Sequence, residues 1–471
     1  ISNISCRSTP GFSLSGGYFT HQFQELCPLA FNVACCKAVH NIIFISMESC
    51  FRLSRWSPVF FYRLFSSLHL TFVQSALCFT MSDEVGALVF DFGSHSLRAG
   101  FAGEDNPKLD IASLVGMIPS TETKPARRII VDDWDAFEDV VQYILQYLTP
   151  QESSHHPILF SEPAWNTKNH REKIAEILFE KFKIPAFYVA KNAALTCFAN
   201  GRHTGLVLDS GAIHTSAIPV YDGLVLTQEI IRSPLAGDFL LQQTQRLIDE
   251  LNIELVPYHK VASKEPVNER EPPKWKKRTN LPETTTSYEN YMVKNLLQDF
   301  VASVLQVSDE RYDQSQADTF PMVGYEFPNG CNFDLGHERF QLPEALFDPS
   351  ILLASFLESG GSSMLSMSHI VASSISLCDI DIRPSLYNNV VVVGGTSLIT
   401  GFTDRLQRDL NMKTPPSMRL KVNFPSTAAE RRYSSWIGGS ILGSLGTFQQ
   451  MWISSNEYNE LGKGCVDKKC A

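Results

Sequence analysis

Basic residues are scarce in this sequence relative to acidic ones. The 40 Lys and Arg residues face 50 Asp and Glu residues, so the net charge is -10. Binding of a nucleic acid through its phosphate backbone needs clustered Lys and Arg side chains. An acidic chain therefore disfavours nucleic-acid binding as the main activity, and we expect no direct sequence-specific contact with DNA.

Cysteine pairs and long uncharged apolar runs are also lacking after the first eighty residues. The five cysteines that follow Met81 have no paired spacing of the kind that holds a metal ion, and they indicate a reduced intracellular protein. The most apolar stretch, Pro58–Thr80, is interrupted by Arg63 and His69 and is a poor membrane span. We expect no association with a membrane.

The first eighty residues differ in composition from the rest. They contain no Asp, and Glu25 and Glu48 are their only acids, whereas Phe, Ser, Leu and Cys are abundant. We expect residues 1–80 to be a non-native or disordered extension, translated upstream of a true start at Met81. A functional targeting presequence is the alternative.

After Met81 the sequence alternates strand and helix patterns, which predicts an α/β protein. Val85–Phe90 is a short apolar run that ends at Asp91 and is followed by Gly93, and a second strand pattern returns at Ser96–Phe101. The same unit recurs at Thr204–Leu208, where the strand runs into Asp209, Ser210 and Gly211. Two copies of one strand–turn–strand unit indicate a duplicated domain.

Three glycine-containing turns suit a phosphate chain. Asp91–Ser94 places backbone N–H groups and a hydroxyl at a hairpin tip, and such a nest binds anions. Asp209–Gly211 repeats the arrangement, and Gly394–Thr396 lets a nucleotide lie against the backbone. The carboxylates of the first two turns suit a hydrated magnesium ion. Each turn alone is weak evidence, since most such turns are only structural.

Four segments carry a family resemblance. DFGSHSLRAGFAG, NGRHTGLVLDSGAIHTSAIPVYDG, the stretch Asp379–Gly401 and SSWIGGSILGSLGTFQQMW resemble the nucleotide-binding and C-terminal segments of actin. The resemblance implies an α/β, actin-like ATPase fold, with two duplicated RNase H-like lobes around a nucleotide cleft. It places the first lobe at 81–199, the second at 200–433 with an inserted subdomain at about 236–360, and the return to the first lobe at 434–471.

The resemblance also implies a cofactor, ATP or ADP with Mg²⁺, and the residues that hold it. Asp91 and Asp209 would reach the metal through water. At the phosphates, the resemblance implies contacts from Asp91, Gly93, Ser94, Arg98, Asp209 and Gly211. It places Lys264 and Glu265 beside the adenosine, and Gly394, Gly395 and Thr396 at the base and ribose. Arg432 is implied near the adenine.

Departures from the actin pattern argue against catalysis. Where actin positions the attacking water and orders the metal shell, this sequence has Asn192, Ser216 and Ala212, while His95 replaces a turn glycine. Hydrolysis needs a water held in line with the γ-phosphate. We therefore expect no catalytic residues and a pseudo-ATPase that still binds nucleotide.

The segment near 117–131 is much shorter than in actins. Most of the small subdomain that roofs one side of the cleft is therefore expected to be missing, either because an exon was lost or because the cleft is open. Between Tyr258 and Tyr288 the chain is polar, with Lys274, Lys276, Lys277 and Arg278 around Trp275. We interpret this segment as a solvated surface insertion, with a docking peptide as the alternative.

Shorter stretches such as IELVP, ASKE, YEFPNG and LFDPS resemble nuclear actin-related proteins of the actin-like protein 6 type, subunits of BAF-type remodellers and acetyltransferase complexes. This implies a nuclear protein with actin, a helical segment of a remodelling ATPase and other chromatin-complex subunits as partners. Trp436–Phe448 and Leu386–Tyr387 are predicted to form the floor of the groove for that helix. A polymerising, ATP-hydrolysing actin is the alternative, and a sugar kinase or chaperone of the same superfold is a third interpretation.

Overall fold

The computed structural model describes residues 86–114, 133–150, 155–269, 271–282, 284–351 and 364–470. Two predictions lie outside these residues, namely the extension at 1–80 and the shortened roof near 117–131. Both remain predictions.

The strands of the described residues are short, and most of them belong to two large sheets. In chain order they are β1 (Leu88–Phe92), β2 (Ser96–Phe101), β3 (Leu109–Ala112), β4 (Ile158–Glu162), β5 (Ala186–Lys191), β6 (Gly205–Ser210), β7 (Thr215–Tyr221), β8 (Leu224–Val225), β9 (Ile231–Ser233), β10 (Val261–Lys264), β11 (Trp275–Lys277), β12 (Val323–Glu326), β13 (Asn332–Leu335), β14 (Val390–Val393), β15 (Val422–Asn423) and β16 (Ile453–Ser454).

Helices lie between and around these strands. In chain order they are α1 (Trp134–Leu148), α2 (Lys168–Glu176), α3 (Asn192–Ala199), α4 (Gly237–Glu250), α5 (Thr286–Val304), α6 (Gln314–Ala317), α7 (Glu338–Glu344), α8 (Met367–Leu377), α9 (Arg383–Tyr387), α10 (Phe402–Lys413), α11 (Ala428–Ser444), α12 (Ser455–Leu461) and α13 (Cys465–Lys469). Polar N-cap residues explain where several helices begin. The clearest case is the capping box of α11, in which the side chains of Thr427 and Glu430 each accept a hydrogen bond from the other residue's backbone N–H.

The two large sheets have the same topology. The first runs in the order β16-β5-β4-β1-β2-β3, and the second runs β15-β14-β6-β7-β8, with β9 also paired to β7. In each sheet a buried central strand pairs antiparallel with the strand that follows it and parallel with a later strand. The predicted α/β architecture of two duplicated lobes is confirmed.

Three hydrophobic clusters support this architecture. One surrounds the first sheet and includes Phe90 and Phe187, and a second surrounds the other sheet and includes Leu206 and Phe402. A third cluster, which contains Phe300, is built from α4, α5, β12 and β13. This third cluster is a separate core within the second half of the chain, while the domain boundaries stay predictions.

The C-terminal part of the chain packs against the first sheet. Trp436 of α11 is fully buried, and its indole Nε1 donates to the carbonyl oxygen of Val89, 3.0 Å away in β1. β16 adds an antiparallel strand to β5 of the same sheet. Helix α11 therefore connects the C-terminal segment to the strand that leads into the first glycine turn.

Candidate functional site

Two hairpin turns with matching geometry face each other across the two lobes. In the β1–β2 turn, the N–H of Gly93 donates to the carbonyl oxygen of Ser96 at 3.0 Å. In the β6–β7 turn, Gly211 donates to His214 in the same way at 3.3 Å. The duplication inferred from sequence thus extends to the hydrogen bonds of the turns.

These hydrogen bonds refine the predicted anion nests. Because Gly93 and Gly211 use their N–H groups to close the turns, phosphate donors must come from the other turn amides. Ser94 lies at the first hairpin tip as predicted, and its carbonyl oxygen accepts a hydrogen bond from the Ser113 hydroxyl at 2.7 Å.

The aspartates that end β1 and β6 influence one another. Asp91 is buried and accepts a hydrogen bond from Arg98 Nη1 at 3.0 Å. Burial, and to a smaller extent the neighbouring charge of Asp91, raise the pKa of Asp209 to about 6, while Arg98 opposes the rise. A cation would reduce the repulsion between these two carboxylates, and carboxylate oxygens are ligands that suit hydrated Mg²⁺.

Arg98 is predicted to hold phosphate, and its ion pair with Asp91 fixes the orientation of its side chain. Its side chain bonds Asp91 across the β1–β2 ladder and lies over the ring of Tyr433, with the guanidinium carbon 5.5 Å from the ring centroid. The positive charge is therefore beside the first turn before any ligand binds.

The third glycine turn packs directly on the second. Gly394 has a φ of 93°, and its N–H donates to the Arg431 carbonyl oxygen at 3.0 Å. Thr396 Oγ1 donates to the Gly211 carbonyl oxygen at 2.8 Å. A Cβ built on Gly395 meets no atom within 4 Å, so this glycine borders open space. The turn leaves room beside the second hairpin, as a nucleotide requires.

The start of α4 supports the second turn, and sequence reasoning missed it. Gly237 N–H donates to the Gly211 carbonyl oxygen at 3.1 Å, and Asp238 N–H donates to the Ala212 carbonyl oxygen at 2.6 Å. Lys294 of α5 pairs with the Asp238 carboxylate at 2.7 Å. The two small residues Ala236 and Gly237 at the start of α4 were the feature of the sequence that could have indicated this close contact.

Helix α5 also reaches the first turn. Gln298 Nε2 lies 3.4 Å from His95 Nδ1, beside a cavity of about 60 Å³. Burial lowers the pKa of His95, and the nearby charges of Lys294 and Arg98 lower it further. The cavity is lined by Ser94, His95, Leu114, Tyr291, Lys294, Asn295 and Gln298.

Three predicted contacts are not brought to these turns. Lys264 lies on β10 and pairs with Glu326 at 2.6 Å, while the carbonyl of Glu265 lies against Gly330. Arg432 is exposed, whereas its neighbour Arg431 donates from Nη1 to the Ser397 carbonyl oxygen at 3.0 Å. The structure thus places Arg431, rather than Arg432, against the third turn.

The residues in the water-positioning places form no proton-transfer pair. Ser216 is buried in β7 opposite Asp209, and Ala212 has no ligand atom in its side chain. Asn192 begins α3, and its buried Oδ1 accepts no hydrogen bond from the described residues. His214 instead packs edge-on against Trp165, with centroids 4.7 Å apart.

The predicted groove needs a correction. The glycines of α11 face the core: a Cβ on Gly438 would lie 1.8 Å from the Leu195 carbonyl oxygen of α3, and one on Gly439 would lie 2.7 Å from Val89. These two glycines admit helix α3 and strand β1 of the same chain, not a partner. Leu386 and Tyr387 are likewise buried. The apolar residues left exposed nearby are Ile441, Leu445 and Met451.

Two further findings concern the described residues only. They contain no helix that is both long and apolar enough to cross a membrane. In the same part of the chain, no three His, Cys, Asp or Glu side chains are grouped so as to hold a metal ion.

Comparisons with known proteins agree with this geometry. The family model described as Actin matches residues 82–471. "Actin-related protein 4" of Arabidopsis thaliana is 34% identical over 440 residues, covering 82% of this chain and 99% of the relative. The protein of the same name from Schizosaccharomyces pombe is 35% identical over 429 residues, with 82% and 98% covered.

Another relative carries a functional name. "SWI/SNF and RSC complexes subunit arp42" of Schizosaccharomyces pombe is 32% identical over 430 residues, covering 82% of this chain and all of the relative. These relatives are not named actin-like protein 6, so that narrower type stays a prediction. The family model and the relatives together show that the chain belongs to the actin family.

Proposed function

We propose that this protein is a non-filament, actin-related subunit of nuclear chromatin-remodelling and histone acetyltransferase complexes, where it supports regulation of transcription. The observation that carries the proposal is the similarity over nearly the whole length of proteins named actin-related protein 4 and of a subunit of the SWI/SNF and RSC complexes. Within this group, the local sequence stretches favour the actin-like protein 6 type.

Nucleotide binding is the second part of the proposal. Asp91 and Asp209 would hold Mg²⁺ through water, and Arg98 would lie beside the phosphates of ATP or ADP. The metal would neutralise the phosphate charge and the repulsion between the two carboxylates. The open space beside Gly395 and the unpartnered Asn192 Oδ1 support a ligand in this cleft.

Turnover is not expected from the same site. Ala212, Ser216 and Asn192 provide neither a base nor a long amide to hold water in line with the γ-phosphate. A bound nucleotide would therefore stabilise the fold of a pseudo-ATPase. Since the roof near 117–131 is expected to be short, we propose a nucleotide that is bound weakly.

The partner surface is proposed on α11 and the turn that follows it. Ile441, Leu445 and Met451 are each more than 40% exposed. A helical segment of a remodelling ATPase would place its apolar face on these side chains, with actin as a second partner on the same helix. Further subunits of the complex would then join this assembly.

Affinity purification of the tagged chain from nuclear extract tests the proposal. Actin, a remodelling ATPase and its associated subunits should co-purify in one assembly. Sedimentation of purified protein with salt, Mg²⁺ and ATP separates the alternative of a polymerising actin, because only that alternative yields pelleted filaments. Filament formation, or purification free of chromatin proteins, would contradict the proposal.

A further inference from the structure

The polar segment between α4 and α5 folds into an exposed two-stranded ribbon that none of the functions above uses. β10 and β11 pair antiparallel, with Lys264 opposite Trp275 and Val261 opposite Lys277. No ribbon residue is fully buried, and Trp275 is the one of β11 that is half-buried. The ribbon is held on its own subdomain by the turn at Gly330 and by Asn332, which donates to the Val267 carbonyl oxygen at 2.9 Å.

Positive charge is concentrated on one strand of this ribbon. Lys274, Lys276, Lys277 and Arg278, here called the β11 cationic edge, occupy four of five successive positions and are all exposed. The cations on the opposite strand and directly before it are already compensated, because Lys264 pairs with Glu326 at 2.6 Å and Lys260 pairs with Glu289 at 2.9 Å.

The β11 cationic edge itself has little compensation. Among the described residues, no carboxylate forms an ion pair with Lys276, Lys277 or Arg278. Glu271 lies near Lys274, but Asn268 Nδ2 donates to it at 3.0 Å, and that hydrogen bond is the main reason its pKa is lowered. Within the part of the chain that the structure describes, at least three positive charges thus have no ion pair, although the net charge of the chain is -10.

We propose that the β11 cationic edge binds the phosphate backbone of duplex DNA without reading its sequence. Side chains on one face of a strand lie about 6.6 Å apart, and duplex DNA carries one charge per about 1.7 Å of its axis. Lys274, Lys276 and Arg278 alternate with Trp275 and Lys277 along the chain, so these three cations share one face, and each meets a phosphate in any sequence register. A two-stranded ribbon also fits a major groove about 12 Å wide.

An acidic protein segment suits this surface less well. It would need carboxylates at the spacing of the cations. A few backbone contacts are also compatible with an acidic chain, since they add non-specific affinity to an assembly held together elsewhere. The inference depends neither on nucleotide binding nor on membership of a particular complex.

Fluorescence anisotropy with the full-length protein and a labelled 20-base-pair duplex of mixed sequence tests the proposal. Lys276→Glu/Arg278→Glu, which changes two cations on one face of the ribbon, is compared with Arg419→Glu/Lys421→Glu, which makes the same charge change at exposed cations elsewhere on the second lobe. Thermal melting of both variants checks that they are folded.

The wild-type and control proteins should bind with an affinity that falls about 40-fold between 50 and 200 mM salt, as for about three phosphate contacts. The ribbon variant should bind at least tenfold more weakly at 50 mM salt, with a shallower dependence on salt. Equal binding by the ribbon variant, equal weakening of the control, or no binding of the wild type would overturn the proposal. So would stronger competition by a poly-glutamate peptide than by unlabelled duplex.

Discussion

A Cβ atom on Gly394 would lie 2.3 Å from the carbonyl oxygen of Ser210, a distance that no side chain tolerates. The φ of 93° adds strain for any other residue. We expect Gly394→Ala to lower the free energy of unfolding by about 2–4 kcal/mol. Urea denaturation measures the change, with Gly446→Ala as the control, because a Cβ there meets no atom within 4 Å. Equal midpoints for the two variants would contradict this packing of the third turn on the second.

A buried ion pair joins α7 to α10. Arg405 Nη1 and Nη2 donate to the two carboxylate oxygens of Glu344, both at 2.7 Å, and Glu344 is fully buried. Arg405→Met alone leaves the Glu344 carboxylate buried without its ion-pair partner and should lower the free energy of unfolding by about 3–5 kcal/mol.

The double variant Arg405→Met/Glu344→Leu provides the control for that cost. It should recover part of the loss, because the fully buried Glu344 carboxylate is removed, whereas Asp409 still loses its pairing with Arg405 Nε at 3.0 Å. Thermal unfolding of the two single variants and the double variant measures the coupling. Additive losses would mean that the two side chains do not act as a pair.

The raised pKa of Asp209 predicts a dependence of stability on pH. The folded-state pKa of about 6 exceeds the ordinary value of 3.8, so the folded protein binds the proton more tightly than the unfolded chain does. Stability is therefore lost as the pH rises from about 4 to about 6.

Asp209→Asn should remove this loss. Above pH 7, without metal or nucleotide, this substitution should raise the free energy of unfolding by about 1–2 kcal/mol. This figure is smaller than the full pKa shift would give, because the Asp209 side chain is partly exposed and solvent screens its charge. Below pH 4 the gain should vanish. Denaturant unfolding at several pH values measures it, and a gain that is the same at every pH would refute the raised pKa of Asp209.

Purified protein should release no phosphate from ATP above background, even where ATP raises its melting temperature. Neither Ala212 nor the buried Ser216 can hold or activate a water. A phosphate-release assay checks this, with Asp209→Ala as the control for a contaminating ATPase. Steady release by the wild type that is lost in this variant would show genuine turnover.

A charge on the exposed part of α11 and its following turn should block the partner helix. Leu445 is 46% exposed, so Leu445→Asp should leave the fold intact while greatly reducing capture of a remodelling-ATPase helix. Leu461→Asp, at a residue that is 59% exposed on α12, is the matched control. Pull-down and circular dichroism measure both effects. If the folded Leu445 variant captures the helix as well as the control does, the partner binds elsewhere.

Local signals explain why the core of the site was predictable. The strand–turn–strand units at Asp91 and Asp209 are set by neighbouring apolar runs and by a turn glycine. The supporting contacts of Asp238, Lys294 and Gln298 were not predicted, because they come from helices far along the chain. No pattern within α5 indicates which of its residues will face a turn some two hundred positions earlier.

Sequence alone determined the repeated Asp–Gly turns, the duplicated architecture and the family. These features depend on residues close together in the chain, whose backbone preferences are expressed in any context. Only the tertiary structure decided that the glycines of α11 admit α3 of the same chain and that Arg431, not Arg432, meets the third turn. Successive residues of a helix point about 100° apart around its axis, so the way the helix packs against its neighbours decides which of the two arginines contacts the turn.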